Sequence, residues 1–164
     1  MPINASDNHL SEVGLGYRTV EYNGSKKTIL AVIVRGTNST IEEWASNFDI
    51  GDSSTFTSES DWEKLDNHKG FDIAANRILD IVDNYIAENE SAEDFDNANI
   101  SYWVTGHSRG AAIANIIGAY LKDRGDYAYT YTFAAPNTTF SANASSYDAI
   151  FNVVNSDDFV HFFL

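Results

Sequence analysis

The chain has 164 residues, 43% hydrophobic and 13% aromatic, which suits one domain of ordinary size with a substantial core. Ten basic against 24 acidic residues leave a net charge of −14, arguing against nucleic acid or an anionic membrane surface as partner and for a neutral or weakly charged substrate. The absence of cysteine excludes disulfides and thiolate chemistry. No apolar run nears the roughly 18 residues of a membrane helix, and MPINASDNHL has neither the basic start nor the apolar core of a signal peptide, so the expectation is a soluble chain without a transmembrane segment. There is no internal repeat, low-complexity tract or linker, and residues 1–164 read as a single domain.

In chain order, VGLGYRTVEY and KKTILAVIVRG flank Asn-Gly-Ser, where Asn-Gly accepts positive φ at both positions, so the spacing predicts an antiparallel hairpin. Its second strand, from about Thr28 to Arg35, is apolar nearly throughout, as in a central strand covered on both faces. STIEEWASN and SESDWEKLDN each carry Ser or Thr followed three residues later by Glu, which predicts two short capped helices separated by the polar stretch GDSSTFT. Phe71, Ala74, Ala75, Ile78, Ile81, Val82 and Tyr85 then recur at helical spacing with Asp72, Asp80 and Asp83 on the other face. ISYWVT predicts a buried strand, and Ile113, Ile116, Ile117, Tyr120 and Leu121 a following helix that ends before Gly125. YAYTYTF and AIFNVVN are further strands around a loop containing Pro136. Strands alternating with helices after an N-terminal hairpin imply an α/β domain with a mostly parallel central sheet and flanking helices.

VTGHSRGAA places Ser108 between Gly106 and Gly110, after a strand and before a helix. A strand that turns abruptly into a helix holds the corner residue in strained backbone geometry, small neighbours prevent collisions, and the hydroxyl stands clear of the sheet at the positive end of the helix. The plainer alternative is a serine that only caps the helix. A nucleophilic serine needs an imidazole to take its proton and a carboxylate to orient that imidazole. Functional groups in open α/β sheets gather beyond the carboxyl ends of the strands, and Asp157 and Asp158 follow AIFNVVNS at such an end. The oxyanion needs donors as well: one is the N–H of Arg109, after the nucleophile, and Thr37 stands at another strand end beside Gly36. Taken singly, the Asp pair also fits a solvated turn and Gly36-Thr37 an ordinary one.

VRGTNSTIEEWASNFDI, HKGF opening a helix, VTGHSRGAAIANIIGAYL, YTFAAPN and NVVNSDDFVHFF together resemble the class 3 lipases of the α/β-hydrolase fold, from about Thr28 to the last residue. The resemblance implies that Ser108 is the nucleophile, Thr37 and Arg109 form the oxyanion hole, and Asp158 is the triad acid, chosen over Asp157 because an apolar pair, Phe159 and Val160, follows it directly. It places Trp44 in or beside a lid region, and implies an uncharged ester or acylglycerol substrate, transient contact with a lipid interface, no organic cofactor and no metal. Two departures stand out. Arg109 occupies a position where Leu is common, and the family's histidine lies several tens of residues past the acid, whereas Leu164 ends this chain six residues past Asp158.

Four histidines are present. His107 precedes the nucleophile, at a position expected to point into the fold; His68 is expected to pack or cap near the pocket; His9 lies in a polar N-terminal stretch; and His161 follows Asp158 too closely to orient easily toward both Asp158 and Ser108. The simplest expectation is a longer parent that carries the base downstream. The leading reading is a serine carboxylic-ester hydrolase working through an acyl-enzyme on Ser108. The alternative from another class is a non-catalytic binding domain, or inactive fragment, that keeps the hydrolase fold without its base; a phospholipase, feruloyl-type esterase or acyltransferase would keep the fold with altered chemistry.

Overall fold

Asn23 and Gly24 adopt φ of 52° and 74°, the mirror-image turn whose twist matches paired strands. They join β1 (Val13–Tyr22) to β2 (Ser25–Val34) in an antiparallel pair closed by Tyr22 opposite Ser25. The computed structural model describes residues 11–36, 67, 69–136, 138–139 and 146–155. Beyond the hairpin come α1 (Lys69–Asn89), β3 (Ile100–His107), α2 (Arg109–Asp123), β4 (Tyr127–Phe133) and β5 (Ile150–Val153). The sheet order is β1-β2-β3-β4-β5, and every pair after the first is parallel. The fold is therefore the expected α/β arrangement, a mostly parallel sheet with an N-terminal antiparallel hairpin and flanking helices. The two capped helices expected between residues 39 and 67 fall almost wholly outside the described residues.

Strand residues alternate between two faces. Leu30, Val32 and Val34 of β2, Tyr102 and Val104 of β3, and Ala128 of β4 form one buried cluster with Phe71, Ile78 and Val82 of α1 and Ile113, Ile117 and Leu121 of α2. Both helices thus cover the same face. At this contact Gly118 of α2 lies against β4 so closely that a Cβ there would sit 2.1 Å from Thr130 Oγ1. Buried Thr28 is satisfied, its hydroxyl 2.8 Å from Thr19 Oγ1 and accepting the Asp96 amide at 2.8 Å. Arg124, just past α2, pairs with Asp83 of α1 at 3.3 Å and with Asp126 at 3.0 Å. Gly125 follows at φ 87°, where the helix ends as its sequence implied.

Two expectations can be set against the described residues. β2 is internal to the sheet, and among the described residues only one of its faces is covered by helices: Ile29 and Ile33 are exposed, as are Trp103, Tyr129, Tyr131, Phe133 and Phe151 on the same side. An unbroken apolar run records what a strand is suited to face, and both described helices pack on the other side. In α1, Ile81 is 38% exposed despite its place in the apolar period. Neighbouring Val82, fully buried, takes the contact because the helix packs on α2 and the sheet through a stripe narrower than the sequence pattern.

Candidate active site

At the end of β3 the backbone of Ser108 takes φ 56° and ψ −128°, and α2 starts at the next residue. A non-glycine residue held at positive φ costs on the order of 1–3 kcal/mol and persists only where its surroundings impose it. Here the Ser108 amide donates to the Phe133 carbonyl at 3.0 Å, and its own carbonyl accepts the amides of Ala111 and Ala112 at 2.8 and 3.2 Å. The residue is gripped from β4 on one side and from the first turn of α2 on the other. Its side chain makes no capping hydrogen bond to the helix, so helix capping does not explain the serine.

The flanking glycines act by size. A Cβ on Gly106 would sit 2.3 Å from the Gly110 carbonyl oxygen, and one on Gly110 would sit 2.5 Å from that of Val34. Both contacts are with main chain, which cannot rotate away. Bare backbone at both positions lets α2 rise directly off the sheet edge and keeps Ser108 at the corner.

Gly36 brings the next strand end to the same place. A Cβ there would lie 2.7 Å from the His107 carbonyl oxygen and 3.7 Å from Ser108 Cβ, so the chain leaving β2 passes against the nucleophile candidate. Thr37, the following residue, lies outside the described residues. Arg109 occupies the first position of α2, where backbone N–H groups point outward from a helix start. Its guanidinium is partly withdrawn from solvent, and that burial lowers its pKa below the usual arginine value.

The strand expected to carry the acid is two places from β3, since β4 lies between β3 and β5. Strands are about 4.8 Å apart, so its end stands roughly 10 Å across the sheet edge, a gap that an imidazole could bridge. A polar network ties that end down. Buried Thr132 lies against Oδ1 of Asn152 and 3.2 Å from Oδ1 of Asn115, and Asn115 Nδ2 donates to Asn152 Oδ1 at 2.8 Å. Asn115 is seven residues after Ser108, two turns along the same side of the helix. Sequence reasoning passed over this trio, although a polar Thr132 at a core-facing position and an Asn inside an apolar helix were its visible signal. Ala134, just past β4, adds a second positive φ of 50°, with its amide bonded to the Val153 carbonyl at 2.9 Å.

Asp157, Asp158, His9, His68, His161 and Trp44 lie outside the described residues. His107 does not point into the fold as expected: it is exposed on the side of β3 opposite α1 and α2, because alternation turns it away from buried Gly106. Among the described residues no group of three or more His, Cys, Asp or Glu side chains is placed to hold a metal ion, and no helix is long and apolar enough to cross a membrane.

The profile of one family, lipase (class 3), matches residues 31–163. No curated protein shows significant similarity to the chain. Solved structures with the same fold include a mono- and diacylglycerol lipase from Aspergillus oryzae (TM-score 0.61, 22% identity, covering 81% of this chain and 47% of that one). The Lip2 lipase of Yarrowia lipolytica (TM-score 0.58, 18% identity, 96% and 57%) and the triacylglyceride lipase of Rhizomucor miehei (TM-score 0.56, 17% identity, 90% and 59%) are similar in the same way. The chain spans about half the length of these lipases.

Proposed function

The chain belongs to the class 3 lipase family, and from that premise we propose that it is the nucleophile-bearing part of a serine carboxylic-ester hydrolase acting on uncharged acyl esters, from short soluble esters to acylglycerols. The observation that carries this is the forced positive φ of Ser108 between β3 and α2, with Gly36 packed against it. A serine that does not cap its helix and yet sits in a strained corner calls for a reason, and presenting Oγ to a substrate is one. Among the neighbours are lipases of mono-, di- and triacylglycerides, and one triacylglycerol lipase has a serine protease triad as its catalytic centre.

In this reading a histidine outside the described residues takes the Ser108 proton as Oγ attacks the acyl carbonyl carbon. The negative oxygen of the tetrahedral intermediate is held by the backbone amides of Arg109 and Thr37. Collapse expels the alcohol, which leaves with the proton from the imidazolium, and Ser108 is acylated. Water, activated by the same histidine, then releases the carboxylic acid. Asp158 orients the imidazole and offsets its charge. Each oxyanion donor contributes on the order of 3 kcal/mol. Residues 1–164 act as one domain, with only transient contact at a lipid interface and no cofactor.

The test is reaction with a fluorophosphonate probe read by intact mass, alongside hydrolysis of p-nitrophenyl esters of increasing acyl length. One phosphonyl adduct on Ser108 is expected in whichever length of chain carries the base histidine, and there Ser108→Ala should lose the adduct and at least about a thousandfold of esterase rate. Undiminished hydrolysis by Ser108→Ala would remove the nucleophile from the scheme.

A further inference from the structure

Asn115, Thr132 and Asn152 join the helix that Ser108 begins to the two strands beyond β3, and the bonds among them are directional. Asn115 Nδ2 donates to Asn152 Oδ1 at 2.8 Å, and the Thr132 hydroxyl donates to the same oxygen. Both lone pairs of Asn152 Oδ1 are thus used. The Thr132 hydroxyl also lies 3.2 Å from Asn115 Oδ1, so position 115 presents a donor to one partner and an acceptor to the other. An amide supplies both at once, whereas ionised aspartate lacks the donor and leucine lacks both. Placing such a group between buried Ala114 and Ile116 of an apolar helix costs stability unless partners meet it. Here the partners are two strand ends.

The trio stands where β5 has little else to hold it. β5 pairs with β4 over four residues, whereas β4 pairs with β3 over seven. Thr132 lies opposite Asn152 in that register, and the next pair is Phe133 opposite Val153. Phe133 gives its carbonyl to the Ser108 amide at 3.0 Å, and Val153 gives its carbonyl to the Ala134 amide at 2.9 Å. Each of these bonds at the strand tips therefore begins one residue beyond the trio. Asn115 is seven residues after Ser108, about 10 Å along the helix axis, so one rigid element carries both. We propose that Asn115 is a positioning residue of the esterase reaction: through Thr132 and Asn152 it fixes the tip of β5, and with it the chain running on to Asp158, relative to Ser108. The proposal rests on the roles given to Ser108 and Asp158 and adds what keeps them in register. Asp158 is six residues past Asn152, so a shift of the tip is passed to the carboxylate that must meet the imidazole. An error of about 1 Å in such a group costs on the order of a hundredfold in rate.

A double-mutant cycle on p-nitrophenyl ester hydrolysis tests it, in whichever length of chain carries the base histidine, with far-UV circular dichroism on each variant to confirm folding. Asn115→Leu should lower kcat at least about tenfold and leave KM within about twofold. Thr132→Val, which keeps the buried shape, should lower kcat in the same way, and Thr132→Ser, which keeps the hydroxyl, should not. Asp158→Asn alone should cost about a thousandfold or more. In that background Asn115→Leu should cost less than about twofold further, because a carboxylate already removed cannot be misplaced. Amide exchange in the 164-residue chain reads the same clamp without catalysis. The Ala134 amide should exchange at least about fivefold faster in Asn115→Leu, while the Thr130 amide, bonded to the Ala149 carbonyl at the other end of β5, should not. A folded Asn115→Leu with unaltered kcat, or with unaltered Ala134 exchange, overturns the positioning role and leaves the reading of Ser108 intact. Costs that simply add in the double variant, or a loss confined to KM, also overturn it. Full activity in Asp158→Asn overturns it through the acid, and undiminished activity in Ser108→Ala overturns the reading on which it rests.

Discussion

Gly106→Ala tests the corner most directly. The added Cβ would sit 2.3 Å from the Gly110 carbonyl oxygen, 2.5 Å from its carbon and 2.9 Å from the Ala111 nitrogen. Ordinary contact begins near 3.4 Å, so β3 and α2 must part by about 1 Å, and no rotamer change can absorb the clash because all three atoms are main chain. Overpacking of this kind costs about 2–3 kcal/mol, which for a chain of this size lowers Tm by about 4–12 °C. The same shift displaces Ser108, and an error of about 1 Å in a reacting group costs on the order of a hundredfold in rate. Thermal unfolding followed by circular dichroism and the rate of fluorophosphonate labelling read the two effects. Gly16→Ala is the control, with nothing within 4 Å of its new Cβ; it should be neutral or stabilising by up to about 1 kcal/mol. If Gly106→Ala melts with the unaltered protein and labels at the same rate, the close approach of helix to strand is wrong, and with it the account of how Ser108 is held.

Three further outcomes follow from individual residues. Ser108→Gly removes the penalty of φ 56° and should raise stability by about 1 kcal/mol net of the greater freedom of glycine when unfolded, while abolishing labelling; an equal gain in Ser108→Ala would locate the effect in the hydroxyl instead of the backbone. Thr130 Oγ1 is buried and finds no hydrogen-bond partner among the described residues, so Thr130→Val, nearly equal in shape, should stabilise by about 1 kcal/mol in urea titration, and a loss of that size would reveal a partner. Burial, followed by the charge of Asp126, raises the pKa of Tyr102 above its ordinary 10.0. The folded state disfavours the phenolate, so this contribution to stability is complete below pH 10 and is lost as pH rises through the folded-state value. Tyr102→Phe should flatten the alkaline fall in stability, and an unchanged slope in pH-dependent denaturant melts would contradict it.

Local patterning accounts for the elements. Asn23-Gly24 can close a two-residue turn with both φ positive, and that turn sets the register from Tyr22 opposite Ser25 to Val13 opposite Val34. The three-and-four spacing of apolar residues from Phe71 and from Ile113 made both helices legible, and glycines two residues either side of Ser108 made the corner legible as chemistry. Each of these signals depends on residues near one another in the chain, where backbone sterics and periodicity act directly.

Tertiary structure decided what contiguity cannot express. That Gly36 packs on Ser108 across some seventy intervening residues, and that Asn115, Thr132 and Asn152 join a helix to two strands, depends on which strand ends become neighbours in the sheet. The face of β2, β3 and β4 that α1 and α2 share was likewise beyond the sequence pattern: alternation separates the two sides of a strand, but which side these helices take is settled only when they pack. His107 shows the same limit in one residue, because strand alternation sets it opposite buried Gly106, and which of those two sides α2 takes is settled only when the helix packs.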